Sequence, residues 1–328
     1  MSDLNIDSMA VVGTGTFGEP LRQFFSKSVK DVEGFDKDPV KGDARVDSQE
    51  KVVEAVGTMD PDCVVMAITA DQQETEGVKM VKEMLAKSKD AESDIKVVVQ
   101  VNSVQSTVRD VMANTLSEDI VEGSRPVVLV SIHPNHPGGP LSSNQRKIWI
   151  LTDVTVLGGD EKQRNKLKES VRNSLVERSG DENLLKVDTE KANILVVDLT
   201  EGLEDGDNKL DGPKYHDYIA AYYQAVFHLV KLLPGAQESD WYKSNFAHVK
   251  ASDDLSRSIV GSNPFMEDVR GRFEELLGGD FGRESVMRAV GVLLKEGERK
   301  IPEGLRILKT KNVQILEGLV QAEEMLNG

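Results

Sequence analysis

The sequence predicts an α/β chain in which an open, mostly parallel sheet with crossover helices precedes an all-helical region. Three observations carry this expectation. Over the first half of the chain, short β-branched runs alternate with helix-patterned segments, as strands joined by crossover helices do. A glycine turn, Gly13-Thr14-Gly15-Thr16-Phe17-Gly18, separates the first run from the first amphipathic segment. Beyond about residue 214 the apolar residues recur only at helical spacing, with Gly and Pro between segments.

The elements follow in order. Strands are expected over 9–12, 32–35, 63–68, 96–101, 127–132 and 148–151. Helices are expected between them over 17–26, 76–88 and 106–116. Pro20 falls in the first turn of the first helix, where its missing N–H is tolerated. A charged helix over 161–177, entered from Gly158-Gly159, leads to two last strand-like runs at 184–187 and 194–199. The polar stretch 201–213 invites a calcium-loop reading, but from Asp207 the third position is Lys209 and the twelfth Tyr218. It reads instead as a solvated linker or insertion. Helices are then expected over 215–233, 251–260, 264–277, 283–297 and 302–326. The division is 1–200 for the sheet domain, 201–213 for the linker and 214–328 for a helical domain, with the site in the cleft between them.

Composition narrows the function classes. With 328 residues and 39% apolar content, the chain can bury a sizeable core. Forty basic against fifty-six acidic residues give a formal charge of −16, a surface that repels phosphate backbones, so nucleic acid is not an expected partner. An anionic substrate would need locally placed cations. The acidic first residues lack the basic-then-apolar form of a signal peptide, and no apolar run approaches a membrane span. With its single cysteine, Cys63, inside an apolar run, the chain is expected to be cytoplasmic and free of internal disulfides. No metal site is expected.

The glycine turn lies between a strand and a helix, the context in which such a turn binds a dinucleotide. Gly13 and Gly15 let the backbone turn and approach a pyrophosphate, Gly18 lets helix and strand pack closely, and the helix N-terminus complements the phosphate charge. Thr16 and Phe17 in the turn, and Thr69 after the third strand, join the same cofactor-binding group. The second strand ends Gly34-Phe35-Asp36, where an acid can bind ribose hydroxyls. Asp36 favours NAD, while the adjacent Lys37 leaves NADP open. The first domain is therefore read as Rossmann-like.

Two further segments bear on chemistry. The run Val127-Val128-Leu129-Val130 continues into Ser131-Ile132-His133-Pro134-Asn135-His136-Pro137-Gly138-Gly139-Pro140, presenting imidazoles at a strand's carboxyl end, where open α/β sheets bind ligands. In the helical half, Asp217, Ala221, Gln224 and His228 fall on one stripe, with small Ala221 leaving space for a polar ligand. The alternative for that stripe is a helix with satisfied core histidines.

The ordered set of a glycine turn, Asn102-Ser103-Val104 after a strand, His133-Pro134 on the next strand and a His216-Asp217…Gln224…His228 helix resembles the prephenate/arogenate dehydrogenase family, from about Ala10 to Asp268. The resemblance implies NAD-dependent oxidative decarboxylation of prephenate or arogenate, on the route to tyrosine, by a homodimer. It makes His133 the proton acceptor and places Ser103 beside the reacting hydroxyl. It assigns Gln224, His228 and Arg257 to the substrate, and Arg257 to the ring carboxylate; His136, where the chain departs from the family's pattern, is expected beside the substrate without a role that the resemblance supplies. Arg257 as an ordinary surface arginine is the alternative. The family's usual His-Pro-Met-Phe-Gly-Pro is replaced here after His133-Pro134, Gln105 stands where many relatives carry lysine, and 193–213 reads as an insertion.

Two rival functions stand beside this one. A β-hydroxyacid or imine reductase shares the two-part plan, but hydroxyacid enzymes of that plan place a lysine on the long helix. Here Lys231 is the only lysine well inside that helix, and it lies off the Gln224/His228 stripe. A non-catalytic nucleotide-bound sensor would have no use for His133 and Ser103.

Overall fold

The computed structural model describes residues 6–15, 17–38, 40–42, 46–90, 95–121, 124–135, 147–176, 194–205, 208–230, 263–280 and 283–299. The chain divides into two units, Met1–Lys214 and Tyr215–Gly328.

The first unit is a Rossmann-like α/β domain. Its strands are β1 (Ser8–Val12), β2 (Asp31–Phe35), β3 (Cys63–Met66), β4 (Val97–Gln100), β5 (Val127–Asn135), β6 (Lys147–Leu157) and β7 (Ile194–Asp198). They form one sheet in the order β2-β1-β3-β4-β5-β6-β7. All neighbours pair parallel except β5 and β6, so the sheet is mostly parallel, as expected. Helices α1 (Gly18–Phe25), α2 (Gln49–Met59), α3 (Ala70–Gln72), α4 (Val78–Asp90), α5 (Ser106–Ser117) and α6 (Glu161–Val176) make the crossovers.

The strands are apolar on both faces because both faces are covered. Met9, Val11, Cys63, Val65, Val97, Val99, Val128 and Val130 pack with Leu21, Phe24 and Phe25 of α1 and with Val171 and Leu175 of α6. The alternate residues Ala10, Val12, Val64, Met66, Val98 and Leu129 pack with Val52 and Val56 of α2, Val81 and Met84 of α4, and Met112 and Leu116 of α5. Burial pushes the pKa of the Cys63 thiol well up, so it stays protonated among the core side chains.

Several elements depart from the sequence reading. No helix is read between β2 and β3, yet α2 forms there, capped by Ser48 accepting from Lys51 N at 3.3 Å. The helix expected from 76 begins at Ala70 and passes through a π-helical turn, Gln73–Gly77, into α4. β6 runs far beyond 148–151 because it pairs along the length of β5. The stretch read as a solvated linker contains a hairpin of β8 (Leu203–Asp205) and β9 (Asn208–Leu210). The strand expected at 184–187 and the helices expected at 251–260 and 302–326 lie outside the described residues.

Helix α7 (Gly212–Val230) leads into the second unit, whose described residues also form α8 (Met266–Leu277) and α9 (Arg283–Arg299). Ala221 packs with Val269, Phe273, Leu277, Val286, Ala289, Val290 and Leu293. Its small side chain, read from the sequence as room for a ligand, instead lets α7 pack into this core. Asn263 Nδ2 donates to Asp217 O at 2.9 Å, and Arg272 on α8 pairs with Glu296 on α9 at 2.8 Å.

Candidate active site

The strand order reverses between β1 and β3, so their carboxyl ends open a crevice flanked by the turns that follow each strand. Gly13 turns the chain with φ +90°, and its N–H donates to Phe35 O at 2.8 Å. A Cβ at Gly18 would lie 1.8 Å from Gly13 O, so only glycine lets α1 start this close to the strand end. A Cβ at Gly15 would meet nothing within 4 Å among the described residues, which leave that face of the turn open. Thr14 Oγ1 is buried with no hydrogen-bond partner among the described residues. An open glycine face beside an unsatisfied hydroxyl fits the pyrophosphate of a dinucleotide. Phe17 precedes α1 and Thr69 precedes α3, both at the crevice; Thr16 lies outside the described residues.

Asp36 follows β2 at the same edge, and its Oδ1 accepts from Asp38 N at 3.0 Å. Lys37, half-exposed, stands 3.7 Å from Glu76 Oε2 in the π-helical turn, and Gln49 Nε2 also donates to that oxygen. The cation that left NADP open is thus already faced by a carboxylate.

The second cluster lies over the ends of β4 and β5. Pairing of β4 with β5 stops at Gln100↔Ser131, while β5 continues to Asn135 against β6. This overhang carries His133 past the end of β4, and it tolerates Pro134 because no β4 carbonyl remains to need its missing N–H. Ser103, in the loop after β4, is thereby brought to His133, with Oγ 3.5 Å from Nε2. That is the long end of hydrogen bonding. Catalytic contacts are often looser before ligands bind.

Beneath this pair is a buried polar layer that the sequence reading did not anticipate: Gln73, Gln100, Asn102, Gln105, Ser131 and Thr152. Thr152 is the extra residue of a β-bulge opposite Ser131/Ile132, and the bulge turns its hydroxyl inward. Its Oγ1 lies 3.1 Å from both Ser131 O and Gln105 Oε1. The one available signal was Gln100, a polar side chain closing the run Val97-Val98-Val99.

Arg109 on α5 is the cation nearest in sequence to Ser103, but Asp211 at 2.6 Å and Asp153 at 3.8 Å hold it. Burial opposes its charge, yet the Asp211 hydrogen bond and the Asp153 carboxylate keep the guanidinium pKa above its ordinary value. It is committed to holding α5 against β6 and Asp211.

Gln224 and His228 fall on α7, with side chains outside the described residues, as are His136 and Arg257 altogether. Among the described residues no group of three or more His, Cys, Asp or Glu could hold a metal ion, and no helix is long and apolar enough to cross a membrane.

No family model matches the chain, and no curated protein matches it. Among solved structures, it is similar to a pyrroline carboxylate reductase of Plasmodium falciparum with NADP bound, at 13% identity over 99% of each chain and a TM-score of 0.36. It is likewise similar to an imine reductase of Bacillus cereus, at 16% identity over 97% of this chain and 93% of that one, TM-score 0.34. An NADH-preferring ketol-acid reductoisomerase from an uncultured archaeon gives 14% over 97% and 84%, TM-score 0.34. Likenesses this distant bear on neither substrate nor activity.

Proposed function

We propose that this chain is a nicotinamide-dependent oxidoreductase and, more narrowly, an NAD-dependent dehydrogenase that oxidatively decarboxylates prephenate or arogenate. The observation that carries the reading is the approach of Ser103 to His133 Nε2 at the carboxyl ends of adjoining strands, in a sheet whose β1/β3 crevice has the glycine turn of a dinucleotide site. The ordered motifs resembling the prephenate/arogenate family supply the substrate class.

In this reading Gly13, Gly15 and Gly18, with Thr16, Phe17 and Thr69, hold the pyrophosphate side of NAD, and Asp36 binds its adenosine ribose. When bound, the oxidised nicotinamide supplies the hydride acceptor. In the tautomer protonated at Nδ1, His133 Nε2 is an acceptor and takes the proton of the ring hydroxyl as that carbon loses hydride. Ser103 Oγ orients the hydroxyl toward Nε2. Loss of carbon dioxide returns an electron pair to the ring and aromatises it. The proton held on His133 then passes back to the phenolic oxygen, so the residue ends as it began. Gln224, His228 and His136 contact the substrate, and Arg257 grips its ring carboxylate.

Incubation with NAD and either prephenate or arogenate tests the reading directly. One of the two is expected to give reduced nicotinamide together with carbon dioxide. Turnover of an imine or β-hydroxyacid instead, with neither cyclohexadienyl acid active, overturns it.

Two predictions arise here. NAD should be preferred over NADP, and Asp36→Ala should narrow the ratio of their kcat/KM values. A like-charge contact with a 2′-phosphate is worth on the order of 1–4 kcal/mol, roughly fivefold to several hundredfold. Preference for NADP in the wild type would move the determinant to Lys37. Arg257→Gln should raise KM for the acid substrate and leave Kd for NAD unchanged, because a bidentate charge-assisted contact is worth about 2–3 kcal/mol, roughly 30–150-fold. Arg257→Lys should recover only part of this, since ammonium lacks the planar fork. An unchanged KM assigns Arg257 to the surface.

A further inference from the structure

We infer that Gln105 is a positioning residue that sets the Ser103–His133 pair, an inference that rests on the function proposed for that pair. Gln105 is fully buried just before α5, and its side-chain amide works in two directions. Its Nε2 donates to the carbonyl of Asn102, folding the amide back over the short loop that contains Ser103. Its Oε1 and Ser131 O each lie 3.1 Å from Thr152 Oγ1 and share that hydroxyl's single proton as a three-centre hydrogen bond. Ser131 precedes His133 by two residues on β5. One amide therefore reaches the backbone beside Ser103 directly and the backbone leading to His133 through a single hydroxyl.

The surrounding contacts make this arrangement stiff. Gln100 Nε2 is 2.5 Å from Ser131 Oγ and 3.3 Å from Gln105 O, a second link between the same loop and β5. Asn102 Nδ2 donates to Gln73 Oε1, tying the loop to the π-helical turn after β3. Val104, fully buried, anchors the loop from its apolar side. Ser103 and His133, by contrast, are both part-exposed. The geometry is that of two accessible groups held by a buried frame, and Gln105 is the frame's shared member. A residue offering only a donor or only an acceptor cannot make both connections. Methionine, of similar length and volume, makes neither.

The decisive experiment reads the imidazole without any substrate. In the ligand-free full-length protein, at a pH where the ring is neutral, the ¹⁵N resonance of His133 Nε2 is assigned by its loss in His133→Asn. Ser103→Ala should shift this resonance. Gln105→Met should shift it in the same direction, and the double variant should go no further than Ser103→Ala alone. In steady-state assays of the same proteins, Gln105→Met should lower kcat by about tenfold to a hundredfold, the scale of an ångström-sized misplacement. KM and Kd for NAD should stay nearly constant. The losses in kcat should not add when Ser103→Ala is present, as expected of residues acting as a unit. If Gln105→Met does not fold, Thr152→Val removes only the bridging hydroxyl and should produce a smaller shift of the same sign.

A wild-type resonance in Gln105→Met, or in Thr152→Val where that variant stands in, overturns the inference. So do effects that simply add to those of Ser103→Ala, which would mark Gln105 as structural only. Because the resonance needs neither cofactor nor substrate, an inactive protein would count against the proposed function while this measurement still decided the role of Gln105.

Discussion

His133→Asn is expected to lower kcat by roughly 10²–10⁴ while leaving Kd for NAD nearly unchanged. The magnitude follows from the task assigned to the imidazole. As hydride leaves, the substrate hydroxyl becomes far more acidic, and a group at Nε2 that takes its proton lowers the barrier in step. The asparagine amide can hydrogen-bond the hydroxyl but has no basic nitrogen. Binding of the dinucleotide should survive, because the turn around Gly13 belongs to β1 and α1, whereas His133 belongs to β5. The pH profile gives an independent check. Wild-type kcat/KM should fall on the acid side as His133 takes up a proton beforehand, and that limb should vanish in the residual activity of the variant. Loss of activity in His136→Asn, with His133→Asn unaffected, would transfer the role to the other imidazole.

The parts legible in the sequence were those governed by short-range periodicity. β1, β3, β4 and the first half of β5 read clearly because a parallel strand covered on both faces is apolar at every position. β6 did not, since Thr152 and Asp153 interrupt it, and nothing local announces that the interruption is a bulge. α2 was obscured by Val52-Val53 and Gly57, which lower helix propensity in a segment stabilised by packing on β1 and β2. The site divides in the same way. The glycine turn and Asp36 are motifs of neighbouring residues, readable as such. Ser103 and His133 lie on separate strand ends, and their approach follows from sheet order and from the overhang of β5, neither of which a spacing of residues encodes. Least legible was the buried amide layer. Glutamines such as Gln73 and Gln105, each next to polar neighbours, look like solvated helix ends until the fold closes over them.

Gly15 and Gly18 of the turn should respond oppositely to alanine, separating a need of the fold from a need of the ligand. In Gly18→Ala the new methyl would sit 1.8 Å from Gly13 O and 3.1 Å from Ala67 Cβ, so backbone must move. Overpacking of this kind costs about 1–3 kcal/mol or more, and at about 2–4 °C per kcal/mol for a domain of this size the Tm should fall measurably. Gly15→Ala places its methyl where nothing among the described residues stands within 4 Å, so the Tm should not change. The same methyl would occupy the face across which a pyrophosphate approaches the backbone. Pushing the phosphate oxygens away from two backbone donors costs about 3–4 kcal/mol, raising Kd for NAD roughly 100–1,000-fold. Calorimetric titration of NAD into the two variants, alongside thermal melts, reads both quantities. Undiminished NAD binding in a normally stable Gly15→Ala protein would mean that the turn is a packing device alone, and the dinucleotide site would have to be sought elsewhere on the sheet.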